Sequence, residues 1–228
     1  MERTVILGAA RTPIGAFLGG LAPLRAPQLG AIAIKCAVER SGVGAERIDE
    51  VFMGSVVQAG VGQAPARQAA LGAGLPRSVP CTTINKVCGS GLKAVMLAAS
   101  QIAAGEYGVI VAGGMESMSN APYLLRGLRQ GLTLGEHSME DANLTDGLVD
   151  AYGGGHMGLG GEKAAAKSGL SREDQDRFAL RSYEKALAAQ RSGAFADEIV
   201  PVDVTGRKGA ITRVEKDETP RETSLEAL

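Results

Sequence analysis

The sequence contains few residues that could form a metal site. Its 228 residues include no tryptophan, only three cysteines and only two histidines, and aromatic residues make up 4% of the chain. The cysteines lack the Cys-x-x-Cys spacing of structural zinc sites, and two histidines alone do not complete a ligand set. We therefore predict that the protein binds no metal ion.

Neither sign of charge is in excess, because 24 basic and 25 acidic residues leave a formal net charge of −1. A chain without a basic surface lacks the electrostatic attraction that nucleic acid needs, so we predict no nucleic acid partner. Residues 1–4 do not have the layout of a signal peptide, and we expect no apolar run of membrane-spanning length. Together these absences predict a cytoplasmic protein with reduced thiols and no membrane contact.

What the chain does contain is typical of a tightly turned α/β protein, with 45% hydrophobic residues and 32 glycines. Strand-like and helix-like patterns alternate along its first half. The predicted strands are 3–8, 49–57, 82–87 and 107–112, and the predicted helices are 27–41, 65–72 and 90–104. This alternation predicts a sheet covered on both faces. The wholly apolar run 109–112 predicts a buried central strand.

The pattern changes at Ser119. Residues 119–152 are rich in glycine and charge, which predicts a long binding loop or lid with little regular structure. Further on, Ser171 and the acidic residues after it predict the start of a helix that ends at Gly193. Two strand-like stretches, 198–204 and 210–214, flank a predicted turn at 206–209.

Cys88 lies between a β-branched run and the apolar periodicity of the predicted helix 90–104. At a helix start, unpaired backbone N–H groups and the positive end of the helix dipole favour a thiolate. Gly89 and Gly91 would let a substrate carbonyl approach the backbone. A nucleophile is one interpretation of Cys88, and a small buried hydrophobe is the other. For Cys36 and Cys81 the apolar surroundings favour a core position.

The segment 85–95, Asn-Lys-Val-Cys-Gly-Ser-Gly-Leu-Lys-Ala-Val, resembles the nucleophile motif of the thiolases, enzymes that make or cleave 3-oxoacyl-CoA thioesters. Other segments resemble thiolase motifs in the same order: 5–15, 62–68, 113–119, and 146–148 together with 155–158. One departure is Ala64, where the family reads asparagine. The ordered matches cover most of the chain and favour the nucleophile interpretation of Cys88.

The resemblance implies an α/β fold, a thiolase-like layered α-β-α N-terminal domain with an inserted loop domain, incomplete in this chain. Residues 1–118 would be the catalytic domain, and 119–228 a truncated loop domain for coenzyme A binding and tetramer contacts. Cys88 would be catalytic. Coenzyme A would contact Leu148, His156, Met157 and Arg221. From the residues alone, a lone histidine such as His156 is more often a satisfied surface or core group, and the alternative for Arg221 is an exposed charge in the tail.

The resemblance also implies an acyltransferase that condenses two acetyl-CoA molecules to acetoacetyl-CoA and coenzyme A, or runs the reverse thiolysis, through an acyl-cysteine on Cys88. Coenzyme A thioesters would be substrates, with no permanently bound cofactor, and the complete protein would be a homotetramer. The asparagine segment, histidine and second cysteine of the thiolase C-terminal half are not found in these residues. We therefore expect an N-terminal part that is inactive alone. The alternatives are a degradative 3-ketoacyl-CoA thiolase of fatty-acid β-oxidation, a ketoacyl synthase, and a non-catalytic coenzyme A-binding or oligomerising partner.

Overall fold

The central strand of the main sheet is β1 (Glu50–Gly54), and all five of its residues are buried. The computed structural model describes residues 4–206 and 209–228. In it, β1 pairs in parallel with β2 (Cys81–Ile84) on one side and with β3 (Ile110–Gly114) on the other. Val51 lies opposite Cys81 and Val111, which fixes the register of all three strands.

Helices cover both faces of this sheet. They are α1 (Ala26–Ser41), α2 (Pro65–Gly72) and α3 (Ser90–Ala104). Because side chains alternate along a strand, Val51 and Met53 pack with α1 and α2, whereas Phe52 packs with Ala94 and Ala98 of α3. This three-layer arrangement confirms the predicted α/β class and the sheet covered on both faces.

The predicted helix bounds agree closely with the structure. Both α2 and α3 have the bounds predicted from the sequence, and α1 begins one residue earlier than expected. Proline in the first turn of α1 and α2 supplies a preset φ angle where no backbone donor is needed. Gly42 and Gly105 end α1 and α3 at positive φ angles of 69° and 77°.

Several strand predictions are wrong in extent or place. Residues 4–8 form no strand with any described segment, and Val5, Ile6 and Leu7 are 67%, 81% and 55% exposed. An apolar run becomes a strand only where a neighbour pairs with it, and these residues have none. The run 109–112 was predicted to be central, yet β3 lies at a sheet edge and its residues are mostly half-buried. Residues 55–57 and 85–87 leave the predicted strands and turn toward a pocket.

The second half of the chain has shorter elements. β4 (Tyr123–Leu124) pairs antiparallel with β5 (Glu140–Asp141), and single helical turns make up most of the regular structure between Ser119 and Tyr152, as predicted. Two helices follow, α4 (Met157–Lys167) and α5 (Arg172–Ser192). The predicted division of the chain at residue 118 stays a prediction.

A hairpin of β6 (Val202–Thr205) and β7 (Ile211–Val214) follows α5 and packs against the start of the chain. Val202, Val204 and Val214 are buried with Leu21, and Leu29 of α1 packs against the same cluster. Both strands are shorter than predicted. Arg207 and Lys208 of the predicted turn lie outside the described residues.

The expectation about membrane-spanning length is wrong for one segment. Val87–Ala104 has 18 residues and a mean hydropathy of 1.3, so by length and composition alone it is apolar enough to cross a membrane. In the structure one side of α3 packs against β1 and β3, and 17% of this window is buried.

Candidate active site

A pocket of about 410 Å³ lies at the carboxyl ends of the three parallel strands. The carboxyl ends of parallel strands meet at one edge of a sheet, which is where open α/β sheets bind ligands. Most of the wall consists of the ends of β1 and β3, the segments after the three strands and the start of α3: Gly54, Ser55, Val56, Val57, Val87, Cys88, Ser90, Gly91, Gly114, Met115, Glu116 and Met118, with Gly147 and Leu148 from the second half of the chain.

Cys88 is exposed and lines this pocket. Gly89 is the N-cap of α3, and Cys88 is the residue immediately before this cap. The predicted position of the thiol at the helix start is therefore confirmed, although Cys88 is not itself part of the helix. The position leaves the sulfur accessible, unlike the half-buried thiols of Cys36 and Cys81. Burial raises the pKa of the Cys81 thiol, which suits its packing role.

The turn that carries Cys88 is held in an uncommon conformation. Val87 has φ +47°, a left-handed value that β-branched residues rarely adopt. The backbone N–H of Val87 donates to Asn85 Oδ1 at 2.9 Å. Ser90 is 4% exposed, and its Oγ donates to the Val87 carbonyl at 2.6 Å and accepts from Lys86 N–H at 2.8 Å. These bonds offset the local strain and fix a sharp strand–turn–helix junction.

Two glycines allow α3 to approach the sheet this closely. A Cβ on Gly54 would lie 2.6 Å from Ser90 Cβ, and one on Gly114 would lie 3.2 Å from Gly91 Cα. The first distance is shorter than any normal contact, so no side chain fits at Gly54. The start of α3 therefore lies directly on the ends of β1 and β3, beside Cys88.

Glu116 contributes a carboxylate to the pocket wall. Its Oε2 accepts from Val56 N–H at 2.8 Å, and its Oε1 accepts from Val57 N–H at 3.3 Å. Burial raises the pKa of Glu116, although these two backbone N–H groups act in the opposite direction. Glu116 was not among the predicted site residues. Its signal was a single acid within the glycine-rich stretch that follows an apolar strand.

Leu148, for which the resemblance implies a contact with coenzyme A, lines the same pocket as Cys88. It ends a five-residue π-helical turn, Leu144–Leu148, a rare form that occurs often at functional sites. A Cβ on Gly147 would lie 3.5 Å from Val57 Cγ2, an ordinary contact distance, so this turn lies close to the loop after β1.

The other three predicted contacts lie outside this pocket. His156 caps α4, where its Nδ1 accepts from Gly158 N–H at 3.0 Å, and Met157 begins that helix with half of its surface exposed. Arg221 lies 5.9 Å from the ring centre of Tyr183 and lines a separate cavity of about 310 Å³ beside α5. Whether these residues contact coenzyme A stays a prediction.

The described residues, 4–206 and 209–228, hold no cluster of three or more histidine, cysteine, aspartate or glutamate side chains that could bind a metal ion. The chemistry that the described pocket offers is thus that of an accessible thiol, an apolar wall, a partly buried carboxylate and the backbone N–H groups of a helix start.

Comparison with known proteins matches residues 4–228 to the family described as "Thiolase, N-terminal domain". An acetyl-CoA acetyltransferase of Cupriavidus necator is 53% identical over 222 residues, which are 97% of this chain and 56% of that protein. A cytosolic acetyl-CoA acetyltransferase of Gibberella zeae is 50% identical over 98% of this chain and 56% of its own length. A mitochondrial acetyl-CoA acetyltransferase of Bos taurus is 49% identical over 96% and 51%.

The chain thus spans little more than half the length of these relatives. The match to the family model covers the strands, the Cys88 turn and the loops that form the pocket, and it agrees with the layered sheet and helices described above. The chain belongs to the thiolase N-terminal domain family.

Proposed function

We propose that this chain provides the nucleophile for acyl transfer between coenzyme A thioesters, in the sense of an acetyl-CoA acetyltransferase. The observation that carries the proposal is the exposed thiol of Cys88 in a fixed turn at the carboxyl edge of a parallel sheet, facing an apolar pocket. Relatives about half identical to this chain are named acetyl-CoA acetyltransferases, which supports acetyl-CoA as the substrate.

In the proposed reaction, the Cys88 thiolate attacks the carbonyl carbon of acetyl-CoA. The carbon–sulfur bond to coenzyme A breaks, the coenzyme leaves as a thiolate that takes up a proton, and the acetyl group stays on Cys88. A second acetyl-CoA loses an α-proton, and its carbon attacks the acetyl-cysteine carbonyl. The products are acetoacetyl-CoA and free Cys88 thiolate. The reverse sequence is thiolysis.

The carbonyl oxygen gains negative charge in both steps. The Cys88 backbone N–H, beside the start of α3, would stabilise that charge as one donor of an oxyanion hole. The apolar residues Val57, Met118 and Leu148 would exclude water from the thioester. The outer part of the coenzyme would lie along Leu148, His156 and Met157, with Arg221 near the adenine. A guanidinium already beside an aromatic ring suits a stacking role.

Neither histidine of the chain lines the pocket. His156 caps α4, and His137 Nε2 lies 2.9 Å from the Thr133 carbonyl in an exposed loop. Glu116 is the carboxylate of the wall, and both of its oxygens accept from the N–H groups of Val56 and Val57. Proton transfer from Cys88 and from the α-carbon would thus need groups that do not line this pocket. Loss of a general base typically lowers a rate by about 10²–10⁴. We therefore expect acylation of Cys88 by this chain to be slow and its turnover to be negligible.

The other features of the function follow the family. We propose coenzyme A thioesters as substrates without a resident cofactor, and a homotetramer as the assembled state of a complete protein. A cytoplasmic location stays a prediction, since the relatives include proteins named cytosolic and mitochondrial. A degradative thiolase for longer acyl chains is the alternative, and acyl chain-length preference separates the two.

The test is intact-mass analysis after prolonged incubation of the chain with acetyl-CoA. We expect a mass increase of one acetyl group, mapped to Cys88 by peptide analysis and absent from Cys88→Ser. The matched control is Cys36→Ser, which removes a half-buried thiol of α1 and should keep the adduct. An unmodified wild-type chain, or an adduct that persists in Cys88→Ser, would contradict the proposal and favour a non-catalytic partner.

A further inference from the structure

A run of hydrogen bonds joins Glu116 to the turn that carries Cys88. The Glu116 carboxylate accepts from the backbone N–H groups of Val56 and Val57 at 2.8 and 3.3 Å. The Val56 carbonyl accepts from Asn85 Nδ2 at 3.3 Å. Asn85 Oδ1 then accepts from Val87 N–H at 2.9 Å. The loop after β1 thus connects the segment after β3 to the residue that precedes the thiol.

The last bond of this run acts on Val87, whose backbone conformation is unfavourable. Val87, at φ +47°, would relax toward a negative φ angle if nothing held it, because its branched Cβ crowds the backbone. Such a relaxation would turn Cys88 away from the start of α3. The thiolate would then lose the favourable N–H groups and dipole of the helix.

Two side chains have the chemistry that this run requires. The carboxylate of Glu116 has two acceptor oxygens for the two N–H groups of the loop after β1. The Asn85 amide has a donor NH2 group and an acceptor oxygen, and it uses the NH2 group toward Val56 and the oxygen toward Val87. Neither side chain reaches Cys88 through a hydrogen bond of its own.

We propose that Glu116 and Asn85 are positioning residues for Cys88, acting through the backbones of Val56 and Val87. The proposal rests on the proposed function in so far as Cys88 is the reacting group. It goes beyond that function because it assigns a role to two residues that have no part in the proposed acyl transfer steps. Since the run is serial, a break at either residue should remove the same support from the Val87 N–H, while Ser90 Oγ still holds the Val87 carbonyl.

The test measures how fast iodoacetamide alkylates Cys88, with peptide mapping to separate it from Cys36 and Cys81. The variants are Glu116→Gln, Asn85→Ala and the double variant. We expect each single change to slow alkylation at neutral pH by roughly fivefold or more, because the Cys88 sulfur moves away from the backbone N–H groups of the helix start that assist its attack. The double variant should be no slower than the slower single variant, since both changes break one run.

Charge and folding effects have distinct signatures in this experiment. Removing the Glu116 carboxylate takes a negative charge from the pocket, which alone would favour the thiolate and speed alkylation. A fall in rate therefore reports position rather than charge. Glu140→Gln, which breaks an exposed pair with Arg126, is the matched control and should leave the Cys88 rate unchanged. Asn85 is exposed, so Asn85→Ala decides the question if Glu116→Gln loosens the fold.

Single-variant rates within twofold of the wild type, or two losses that multiply in the double variant, would overturn the proposal. The readout uses no coenzyme A thioester. A wild-type chain that fails to acquire an acetyl group, combined with slower alkylation in both variants, would therefore refute the proposed function and keep the positioning roles.

Discussion

The sheet region, residues 4–118, and the later region, residues 119–228, differ in what stabilises them. Around β1 of the sheet region, buried apolar side chains form a cluster on each face of the strand. In the later region α5 has 21 described residues and none of them is buried. Area removed from water is the main source of stability in most folds. The sheet region has this source, and α5 depends on polar contacts and on its ends.

Polar contacts also hold the tail of the later region to the start of the chain. Arg11 donates to both oxygens of Asp217 at 2.7 and 3.0 Å and to Glu198 at 2.7 Å. Glu218 accepts from the backbone N–H groups of Ala16 and Gly20. The sheet region therefore presents Cys88 on a well-packed base, whereas the tail is held both by these charged groups and by the small apolar cluster of Val202, Val204 and Val214 with Leu21.

The largest expected effect separates two methionines, one in each region. Met53 of β1 is 2% exposed and Met157 of α4 is 50% exposed. Met53→Ala should lower the free energy of unfolding by about 2–5 kcal/mol, because it leaves a cavity in the main cluster. Met157→Ala should cost less than about 1 kcal/mol. Urea unfolding followed by circular dichroism measures both.

Each methionine variant serves as the control for the other, because the same atoms are removed. Equal losses would show that the later region is packed as firmly as the sheet, and the comparison of regions would fail. Changes in the slope of the denaturant dependence would also be informative, since they would show that the two regions do not unfold together.

The sequence predicted the helices around the sheet because their ends carry local signals. Proline in the first turn of α2 and glycine at both ends of α3 bound apolar periodicities, and these signals need no distant partner. The absence of a strand at 4–8 could not be predicted, because a strand depends on a neighbour that the local sequence does not identify. The edge position of β3 depends on the same long-range pairing.

The residues of the site show the same contrast between local signals and long-range contacts. Cys88 was predicted because the helical pattern begins directly after it. The roles of Glu116 and Asn85 could not be predicted, since their bonds to Val56 join residues 60 and 29 positions apart. The positive φ angle of Val87 was also hidden, because β-branched residues favour extended strands.

A smaller effect is expected where the tail meets the start of the chain. The Asp217 side chain is 7% exposed. Burial opposes its ionisation, but hydrogen bonds from Arg11 and Ile14 N–H outweigh burial and lower its pKa. Asp217→Asn should cost about 1–3 kcal/mol at neutral pH, because a charged hydrogen-bond partner of Arg11 is lost.

The lowered pKa of Asp217 also sets a pH dependence. Its stabilisation is fully present above the unfolded pKa of about 3.9 and is lost as pH falls through the lower folded value. The gap in unfolding free energy between wild type and Asp217→Asn should therefore close below about pH 4. Asp203→Asn is the control, because its pair with Arg213 is more than half exposed on both sides. A gap that persists in acid would contradict the assignment.

The smallest effect concerns the start of α5, where the absence of buried residues should make the cap matter. Ser171 Oγ accepts from Asp174 N–H at 3.1 Å, and the Asp174 carboxylate accepts from Ser171 N–H at 3.2 Å, which forms a capping box. Ser171→Ala should destabilise the first turn by about 1 kcal/mol. This loss corresponds to a roughly fivefold faster amide hydrogen exchange in that turn. Ser192→Ala, which removes an exposed hydroxyl from the other end of α5, should leave that exchange unchanged. Unaltered exchange in Ser171→Ala would mean that contacts along α5, rather than its cap, keep the helix formed, and the two regions would then differ less than their burial indicates.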